Sequence, residues 1–446
     1  MRQTLFYLPH QVGPLPLFGW VSWGMLGFLV YIAVTWFYQR TAPKNSQAKD
    51  ATGTFGDRFF NWGLGAIILG FVLPLAEAKV AAGTPDEIPI GLPVRGYGLM
   101  MMLGVSAATV LSYRRVLQLG VPKDSFMSLV LFTVIGGLAG ARIFYVVQKW
   151  SELAGQTILE KLWTALQFTE GGLVVYGAVL GGIVGILSWA LLQRVRPLAL
   201  LDAIVPAFFI GLAFGRLGCL LNGCCFGGIC ETNTPAIAFP KGAPAYIDQL
   251  ESGRLLGIHT KSETETIEAS ASTTANKKVI TSIDSGTWAE KQGIQPGDRL
   301  NTIEVGALPL SNAALAQRMR AHQPPPIEAV IRTDRGSYVA TELPQKSLPV
   351  HPSQIYASIT AFLLCFWSTS IPRWTSRPGL VFGSGWLVYG ILRYIEEIIR
   401  VDEAGQFGTN LSIAQWVSLV GILFGIALTV WVLSRPAQLE PTTTLP

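Results

Sequence analysis

Nine apolar runs, near 18–38, 59–75, 97–117, 126–148, 172–192, 198–221, 356–371, 379–399 and 412–433, set the terms on which this chain folds. Hydrocarbon offers no hydrogen-bond partners, so a segment crossing ~30 Å of it must satisfy its own amides, which about 17–25 residues of helix do. The runs at 59–75 and 356–371 are the shortest. Charged residues make up only 14% of the chain, against about a quarter in a soluble domain. The expected fold class is an all-α polytopic membrane protein of about nine transmembrane helices. A soluble insertion falls where the pattern breaks, between Asn222 and His351.

Lysine and arginine occupy alternate loops. Arg40, Lys44, Lys49 and Arg58 share one; Arg114, Arg115 and Lys123 the next but one; then come Arg194 with Arg196, Arg373 with Arg377, and finally Arg435. The intervening loops carry Glu77, Asp86, Glu87, Glu152, Glu160, Asp402 and Glu403. By the positive-inside rule the N-terminus and the 222–355 segment lie outside and the C-terminus is cytoplasmic. The net charge of +5 therefore reports topology. No basic cluster is interleaved with exposed aromatics, so nucleic acid is not an expected partner. Pro9, Pro14 and Pro16 break any early helix and argue against a cleaved signal peptide.

Within the insertion, 231–276 is rich in Gly, Pro, Ser and Thr and reads as loop and linker. An α/β pattern follows over 277–345. Val279–Ile283 alternates as a strand, Thr287–Gln292 reads as a short helix, and Gly293–Asp298 as a turn into a strand from Arg299. Ser311 suits the N-cap of a helix through Arg320, and Ile327–Ile331 pairs with Ser337–Leu343 around Asp334-Arg335-Gly336. The order resembles a bacterial PDZ-like domain, which implies capture of a peptide C-terminus by strand addition. Asn276-Lys277-Lys278 stands where such domains carry a glycine-containing carboxylate loop.

Charged and polar clusters mark the outer ends of the apolar runs. Gly215-Arg216-Leu217-Gly218-Cys219-Leu220-Leu221-Asn222-Gly223-Cys224-Cys225 closes the 198–221 run. Pro93-Val94-Arg95-Gly96-Tyr97-Gly98, Gly136 to Arg142, Gly171 to Gly177 with Tyr176, and His351-Pro352-Ser353-Gln354-Ile355-Tyr356 are four more. Arg393 and Glu397, four apart, share a helix face in a sixth that runs on through Arg400 to Asp402. An arginine within hydrocarbon costs ~2.5–3.5 kcal/mol on insertion scales, so these guanidiniums face protein, water or an anion. Each cluster also has a plain reading. Arg393–Glu397 can be an ion pair in register, Arg95 and Arg142 can snorkel, Tyr97 and Tyr176 can be belt tyrosines, and His351 can be a cap. All fall in the outer half of their helices, where they can line one outward-facing cavity.

Together they resemble the prolipoprotein diacylglyceryl transferase family over about 90–230 and 348–433. Gly215–Asn222 is similar to the family signature Gly-Arg-x-Gly-Asn-x-x-Asn-Gly-Glu. His351–Tyr356 matches His-Pro-Ser-Gln-x-Tyr. Tyr389-Gly390, Arg393, Glu397, Arg400 and Asp402 follow Tyr-Gly…Arg-x-x-x-Glu-x-x-Arg…Asp, and Leu411–Trp416 resembles the start of the last helix. The resemblance implies a seven-helix membrane core with an outer head. On that reading the division is an added N-terminal hairpin (1–80), core (81–230), loop and linker (231–276), PDZ-like insertion (277–345) and core again (346–446).

It also implies a bacterial inner-membrane enzyme that moves diacylglyceryl from phosphatidylglycerol to the lipobox cysteine of a prolipoprotein, releasing glycerol phosphate, without metal or cofactor. Arg216, Arg393, Tyr176 and Glu397 are then the candidate catalytic residues. Tyr97, Arg142, Asn222, His351, Gln354, Tyr356 and Arg400 are the candidate substrate-binding residues. The family's histidine in Gly-Gly-x-x-x-His-Gly is Tyr176 here, and its signature Asn and Glu are Cys219 and Cys224. Cys365 reads as a packing residue, while Cys219, Cys224, Cys225 and Cys230 crowd one helix end, where an oxidising compartment would allow a disulfide and the sequence leaves the pairing open. Zinc is disfavoured because no paired CxxC is present and His259 is remote. A relative with another lipid, acceptor or thiol redox role, and a non-catalytic lipid or peptide receptor, remain the alternatives.

Overall fold

The computed structural model describes residues 4–8, 11–12, 15–16, 78–80, 84, 88–150, 157, 160, 174–230, 235–263, 277–321, 323–371, 377–400 and 409–435. The helices expected at 18–38 and 59–75, the loop holding Arg40 to Arg58, and Asp402 lie outside these residues. In chain order the strands are β1 (Thr4–Leu8), β2 (Gln11–Val12), β3 (Leu15–Pro16), β4 (Ala78–Val80), β5 (Ile88–Arg95), β6 (Ile258–Glu263), β7 (Lys277–Ile283), β8 (Arg299–Ala307), β9 (Ile327–Thr333) and β10 (Ser337–Ala340). The helices are α1 (Gly96–Leu117), α2 (Lys123–Gln148), α3 (Val175–Leu192), α4 (Pro197–Asn222), α5 (Pro244–Glu251), α6 (Trp288–Lys291), α7 (Asn312–Arg320), α8 (Ser353–Ser370), α9 (Leu380–Ile399) and α10 (Ile413–Ser434).

Among the described residues five helices, α1 to α4 and α10, are long and apolar enough to cross a membrane. α8 and α9 are helices of 18 and 20 residues. Large apolar side chains point outward from the long helices, among them Met102, Met127, Val147 and Leu423. In water so much exposed apolar surface would drive association; against lipid it costs nothing. The described residues fall into two compact units. One holds those within 1–99, 221–224 and 229–350, the other those within 100–220, 225–228 and 351–446.

The helical unit is built on backbone-to-backbone contacts. Gly136 and Gly140 of α2 face Gly177, Gly181 and Gly185 of α3, and a Cβ on Gly140 or Gly181 would overlap a carbonyl oxygen of the partner helix. Lipid tails are as apolar as leucine, so membrane helices gain from such close approach rather than from burying apolar area. α9 and α10 repeat the device: a Cβ on Gly425 would strike the backbone of Leu387 and Gly383. One apolar core joins α2, α3, α4, α8 and α9 through Phe126, Leu129, Trp189, Leu200, Phe209, Leu364 and Phe382. The indole of Trp189 donates to Ser128 Oγ at 2.8 Å, so its one polar atom is satisfied.

At the start of α9 an acid within the α4 run acts as cap. Asp202 accepts from the amides of Gly379 (2.6 Å) and Phe382 (2.7 Å). Gly379, at φ +96, takes the left-handed conformation that starts the helix. Sequence reading passed over Asp202 because it lies far in the chain from the helix that it caps.

The other unit holds the sheets, so the described chain is helical with strands added. An antiparallel sheet of order β1-β5-β4 precedes α1, and the short β2–β3 pair adds two residues a side. The alternation of Ile88–Arg95 carries two prolines and a glycine, which hid β5 from a strand reading. A five-stranded antiparallel sheet, β10-β9-β8-β7-β6, lies within residues 258–340. Every element expected in 277–345 is present, including the Ser311 cap, whose side chain accepts from Ala314, and the β9–β10 hairpin.

The reading of 231–276 as loop is corrected over part of its length. α5, a 3-10 turn at Arg254–Leu256 and β6 lie there, and β6 pairs with β7. Tyr246, Leu250, Leu256 and Ile258 are buried, an apolar set in pieces too short to show a period. Burial pushes the Tyr246 phenol up to about 12, and its hydroxyl donates to the Pro344 carbonyl at 2.7 Å. α7 lies on the first sheet, with Ala316 buried against Val80 and Ile90. Arg320 donates to the Pro89 carbonyl at 2.9 Å.

The α2–α3 contact predicts a contrast between neighbouring glycines. At Gly140 an added methyl meets backbone, whereas at Gly137 the nearest atom is at 3.4 Å. Gly140→Ala should lower stability by about 1–3 kcal/mol through overpacking. Gly137→Ala should be neutral or gain up to about 1 kcal/mol from helix propensity. Thermal denaturation of the two variants in detergent checks this, and equal midpoints would sink the backbone-contact account.

Candidate active site

The site in the helical unit centres on Glu397. Its position one helical turn after Arg393 puts both on the same face of α9, and Arg393 Nη1 lies 2.5 Å from Glu397 Oε2. Arg400 Nη1 approaches the same oxygen at 3.4 Å, and Ser412 Oγ donates to Oε1 at 3.1 Å. All three charged side chains are less than a tenth exposed. Ser412 is also the N-cap of α10. Its oxygen accepts from the Gln415 amide (3.2 Å), while Gln415 Oε1 accepts from the Ser412 amide (3.0 Å). The hydroxyl thus uses its donor on Glu397 and a lone pair on the helix start.

Backbone bonds knot three segments beside this cluster. Gly228 donates to the Ile399 carbonyl (3.0 Å), Gly227 to that of His351 (3.0 Å), and His351 to that of Gly228 (2.9 Å). Ser353 Oγ donates to the Cys225 carbonyl at 2.7 Å. A Cβ at Gly227 would run into His351, so glycine is what lets the two strands of the knot meet. The segment at His351–Ser353 and the end of the signature stretch are therefore fixed against the C-terminal end of α9.

Arg216 lies on α4, within electrostatic range of Tyr389, Cys225, Cys219 and Arg400. Tyr389 is held by Phe208 and Phe209, at ring-centroid distances of 6.3 and 6.0 Å. Glu396 hydrogen-bonds Thr360 of α8 and faces both Arg216 and Arg393. Sequence reading missed Glu396 as a site residue; the signal was two adjacent acids, Glu396-Glu397, inside an apolar run. Three guanidiniums against two carboxyls give an electropositive cluster, suited to a singly charged anion.

The structure thus brings Arg216, Arg393, Glu397 and Arg400 together, with His351 tied in through its backbone. Gln354, which is buried, and Tyr356 follow on the first turn of α8. Arg142 and Tyr176 belong to the α2–α3 pair. Both lie within two residues of the Gly140–Gly177 contact, and the Val174 amide donates to the Ala141 carbonyl at 3.3 Å. Arg142 is buried, with its guanidinium 5.1 Å from the centre of the Tyr145 ring. Tyr97 and Asn222 belong to the other unit, at the start of α1 and the end of α4, where Gly96 packs on Leu221. No disulfide joins the described cysteines, which answers a question the sequence left open.

Comparison with known proteins gives one family. Its description, prolipoprotein diacylglyceryl transferase, matches residues 85–431. The phosphatidylglycerol–prolipoprotein diacylglyceryl transferase of Rhodopirellula baltica is 35% identical over 95% of this chain and 87% of its own. The enzyme of that name from Clostridium tetani is 24% identical over 75% of this chain and 92% of its own. The second such enzyme of Clostridium perfringens is 34% identical over 36% of this chain and 63% of its own.

Glu397 is expected to be structural as well as chemical. Glu397→Ala leaves buried guanidiniums uncompensated, which typically costs about 3–5 kcal/mol. Ser412→Ala removes one hydrogen bond and one cap oxygen, about 1–2 kcal/mol. Membrane abundance and thermal midpoint in detergent should fall in that order, and a Glu397→Ala protein as stable as the parent would contradict the network.

Proposed function

The chain belongs to the prolipoprotein diacylglyceryl transferase family, and we propose that Arg216 and Arg393, beside Arg400 on the Glu397 network, form the anion clamp of its reaction. The chain is a membrane transferase that moves the diacylglyceryl group of phosphatidylglycerol to prolipoproteins. The observation that carries the assignment is the convergence of three guanidiniums from two motifs on a net positive, buried cluster.

In the reaction the lipobox cysteine sulfur attacks the glyceryl carbon that bears the phosphate. The S–C bond forms as the C–O bond breaks, and the electron pair leaves on the oxygen of glycerol phosphate. Negative charge grows on that phosphate, so cations fixed around it favour the transition state over the bound lipid. Guanidinium suits the role because its fork meets two phosphate oxygens at once. Arg216 and Arg393 are assigned to the phosphate and Arg142 is a third contributor. Glu397 positions Arg393 and Arg400. The incoming thiol, pKa about 8.5 when free, reacts as thiolate, and a positive site favours that form. Tyr97, Asn222, His351, Gln354 and Tyr356 keep their substrate-binding assignment from motif position.

Tyr176, second residue of α3, replaces the family histidine. A phenol of ordinary pKa near 10 is a weak base at neutral pH, so we assign it a hydrogen bond to the lipid and leave proton uptake to the phosphate leaving group. We further place the protein in a bacterial inner membrane with N-terminus and insertion outside and C-terminus inside, on the loop charges and the bacterial relatives. Segment 277–345 is read as a PDZ-like insertion. The clostridial relative is covered almost end to end by three quarters of this chain, which leaves length for such an addition. A peptide C-terminus is its proposed ligand. β7 already has neighbours on both sides, so strand addition would use the outer edge of β6 or β10.

Transfer of labelled diacylglyceryl from phosphatidylglycerol to a lipobox peptide in detergent tests the reading. Arg216→Ala and Arg393→Ala should each lose at least ~10²-fold in rate, the scale of a lost transition-state donor. Lysine should restore only part of it, since the fork is gone. Near-parental rates for both alanine variants at normal abundance would remove the clamp.

The same assay separates two roles for Tyr176. Tyr176→Phe should stay within about fivefold of the parent if the hydroxyl only binds, below the ~10²-fold that a general base supplies. A loss approaching that size across the pH range would make Tyr176 the base.

A further inference from the structure

A second arginine cluster lies at the opposite end of α9, and the transfer reaction has no use for it. A cavity of about 280 Å³ opens where α4 begins, α9 begins and α10 ends, with Arg196, Arg377, Arg435, Trp431, Leu198 and Val432 in its lining. The Gly379 cap beside it packs on Leu198 and Val432. From that cap to Arg393 the helix rises about 21 Å, so this cavity and the Glu397 cluster are separate places.

Its cations are held in position. Arg435 stacks its guanidinium 3.7 Å from the centre of the Trp431 ring, a cation–π contact that fixes the group while leaving its edge N–H donors usable. Arg377 Nη1 donates to the Leu433 carbonyl at 2.5 Å. Three arginines from chain positions far apart therefore converge on one hollow, and among the described residues its lining contains no carboxylate. Asp202, which caps α9 behind the wall, spends its oxygens on the Gly379 and Phe382 amides and faces Arg115. It also occupies the helix N-terminus, so the anion-binding capacity here is that of the guanidiniums. Trp431, partly exposed at the last turn of an apolar helix, is placed as an interfacial tryptophan.

We propose that this cavity binds a phosphate ester, either the head group of an anionic lipid in the leaflet at that end or a soluble phosphate compound. Guanidinium forks match phosphate oxygens in pairs, the indole and the Leu198–Val432 wall offer an apolar border for the ester's carbon, and the volume admits a glycerol-sized head group. The bland alternative is a solvated face of topogenic arginines that attracts anions only through net charge.

The full-length protein in phosphatidylcholine nanodiscs containing a minor fraction of phosphatidylserine separates these. Phosphatidylserine carries the phosphate ester without being the transferase donor, so the reading does not depend on the proposed clamp. Lipid retained after detergent exchange is counted by native mass spectrometry. The Arg196→Gln, Arg377→Gln, Arg435→Gln triple variant should retain at least about tenfold less than the parent, a loss of order 1.4 kcal/mol. A variant with Arg114→Gln, Lys123→Gln and Arg194→Gln loses the same charge from exposed positions outside the cavity, and should retain as much as the parent. Equal losses in both triples, or none in either, would overturn the proposal. Should the first triple fold poorly, Arg435→Gln alone with Trp431 intact gives the same comparison at smaller amplitude. Excess inorganic phosphate distinguishes the sources: displacement of the lipid assigns the site to soluble phosphates, and persistence assigns it to the lipid head group.

Discussion

A carboxylate within an apolar helix bundle is tolerable only with its charge and its lone pairs accounted for, and Glu397 meets that condition through three side chains. Arg393 comes from the same helix, Arg400 from just beyond its end, and Ser412 from the start of the next. The helix end, the connection and the α10 cap are thus fixed by one residue. The backbone knot of Gly227, Gly228 and His351 then fastens two further segments to the same place through the Ile399 carbonyl. Remove the acid and the arginines lose the partner that makes their burial affordable. The orientation of the cationic cluster follows from this network, not from the arginines' own preferences.

Why the bundle holds such a network rigidly is a matter of packing. Without a hydrophobic drive between helices in lipid, α2–α3 and α9–α10 associate through glycine faces that bring backbones into contact. These contacts tolerate no sliding, because the next register presents side chains where glycine was. Arg142 and Tyr176 flank one such contact and Arg393 lies on a helix of the other. The geometry available for chemistry therefore depends on residues with no side chain at all.

Much of this was legible in the chain. Apolar runs located α1 to α4 and α10, the spacing of Arg393 and Glu397 forecast their pairing, and Ser311 and the Asp334–Gly336 turn were placed correctly within the insertion. These are local signals, carried by period, cap and turn residues. What stayed hidden was non-local. Ser412 reaches Glu397 across a connection, and Asp202 caps a helix that begins almost two hundred positions later, so no window contains both partners. β5 was masked by its own prolines, and α5 and β6 by pieces too short to show a period. The insertion read as a domain on a linker because its lead-in is polar. Its helix α7 nevertheless rests on strands β4 and β5, which precede α1. Removing it would uncover Val80 and Ile90.

The two ends of α9 show how one helix supports opposite electrostatic tasks. At its start the amide donors are satisfied by Asp202, a buried acid, and the arginines nearby remain at the surface beside an exposed tryptophan. At its finish the arginines are buried and balanced by acids from their own helix. A cation at a helix C-terminus is favoured by the dipole, which lowers the cost of burying Arg400 at the cap of α9. Near the N-terminus the same dipole disfavours cations, and there the arginines stay within reach of water or head groups. Burial of charge thus follows the direction of the helix: the end that can stabilise cations holds the site proposed for transfer, and the end that cannot keeps its cations nearer the surface.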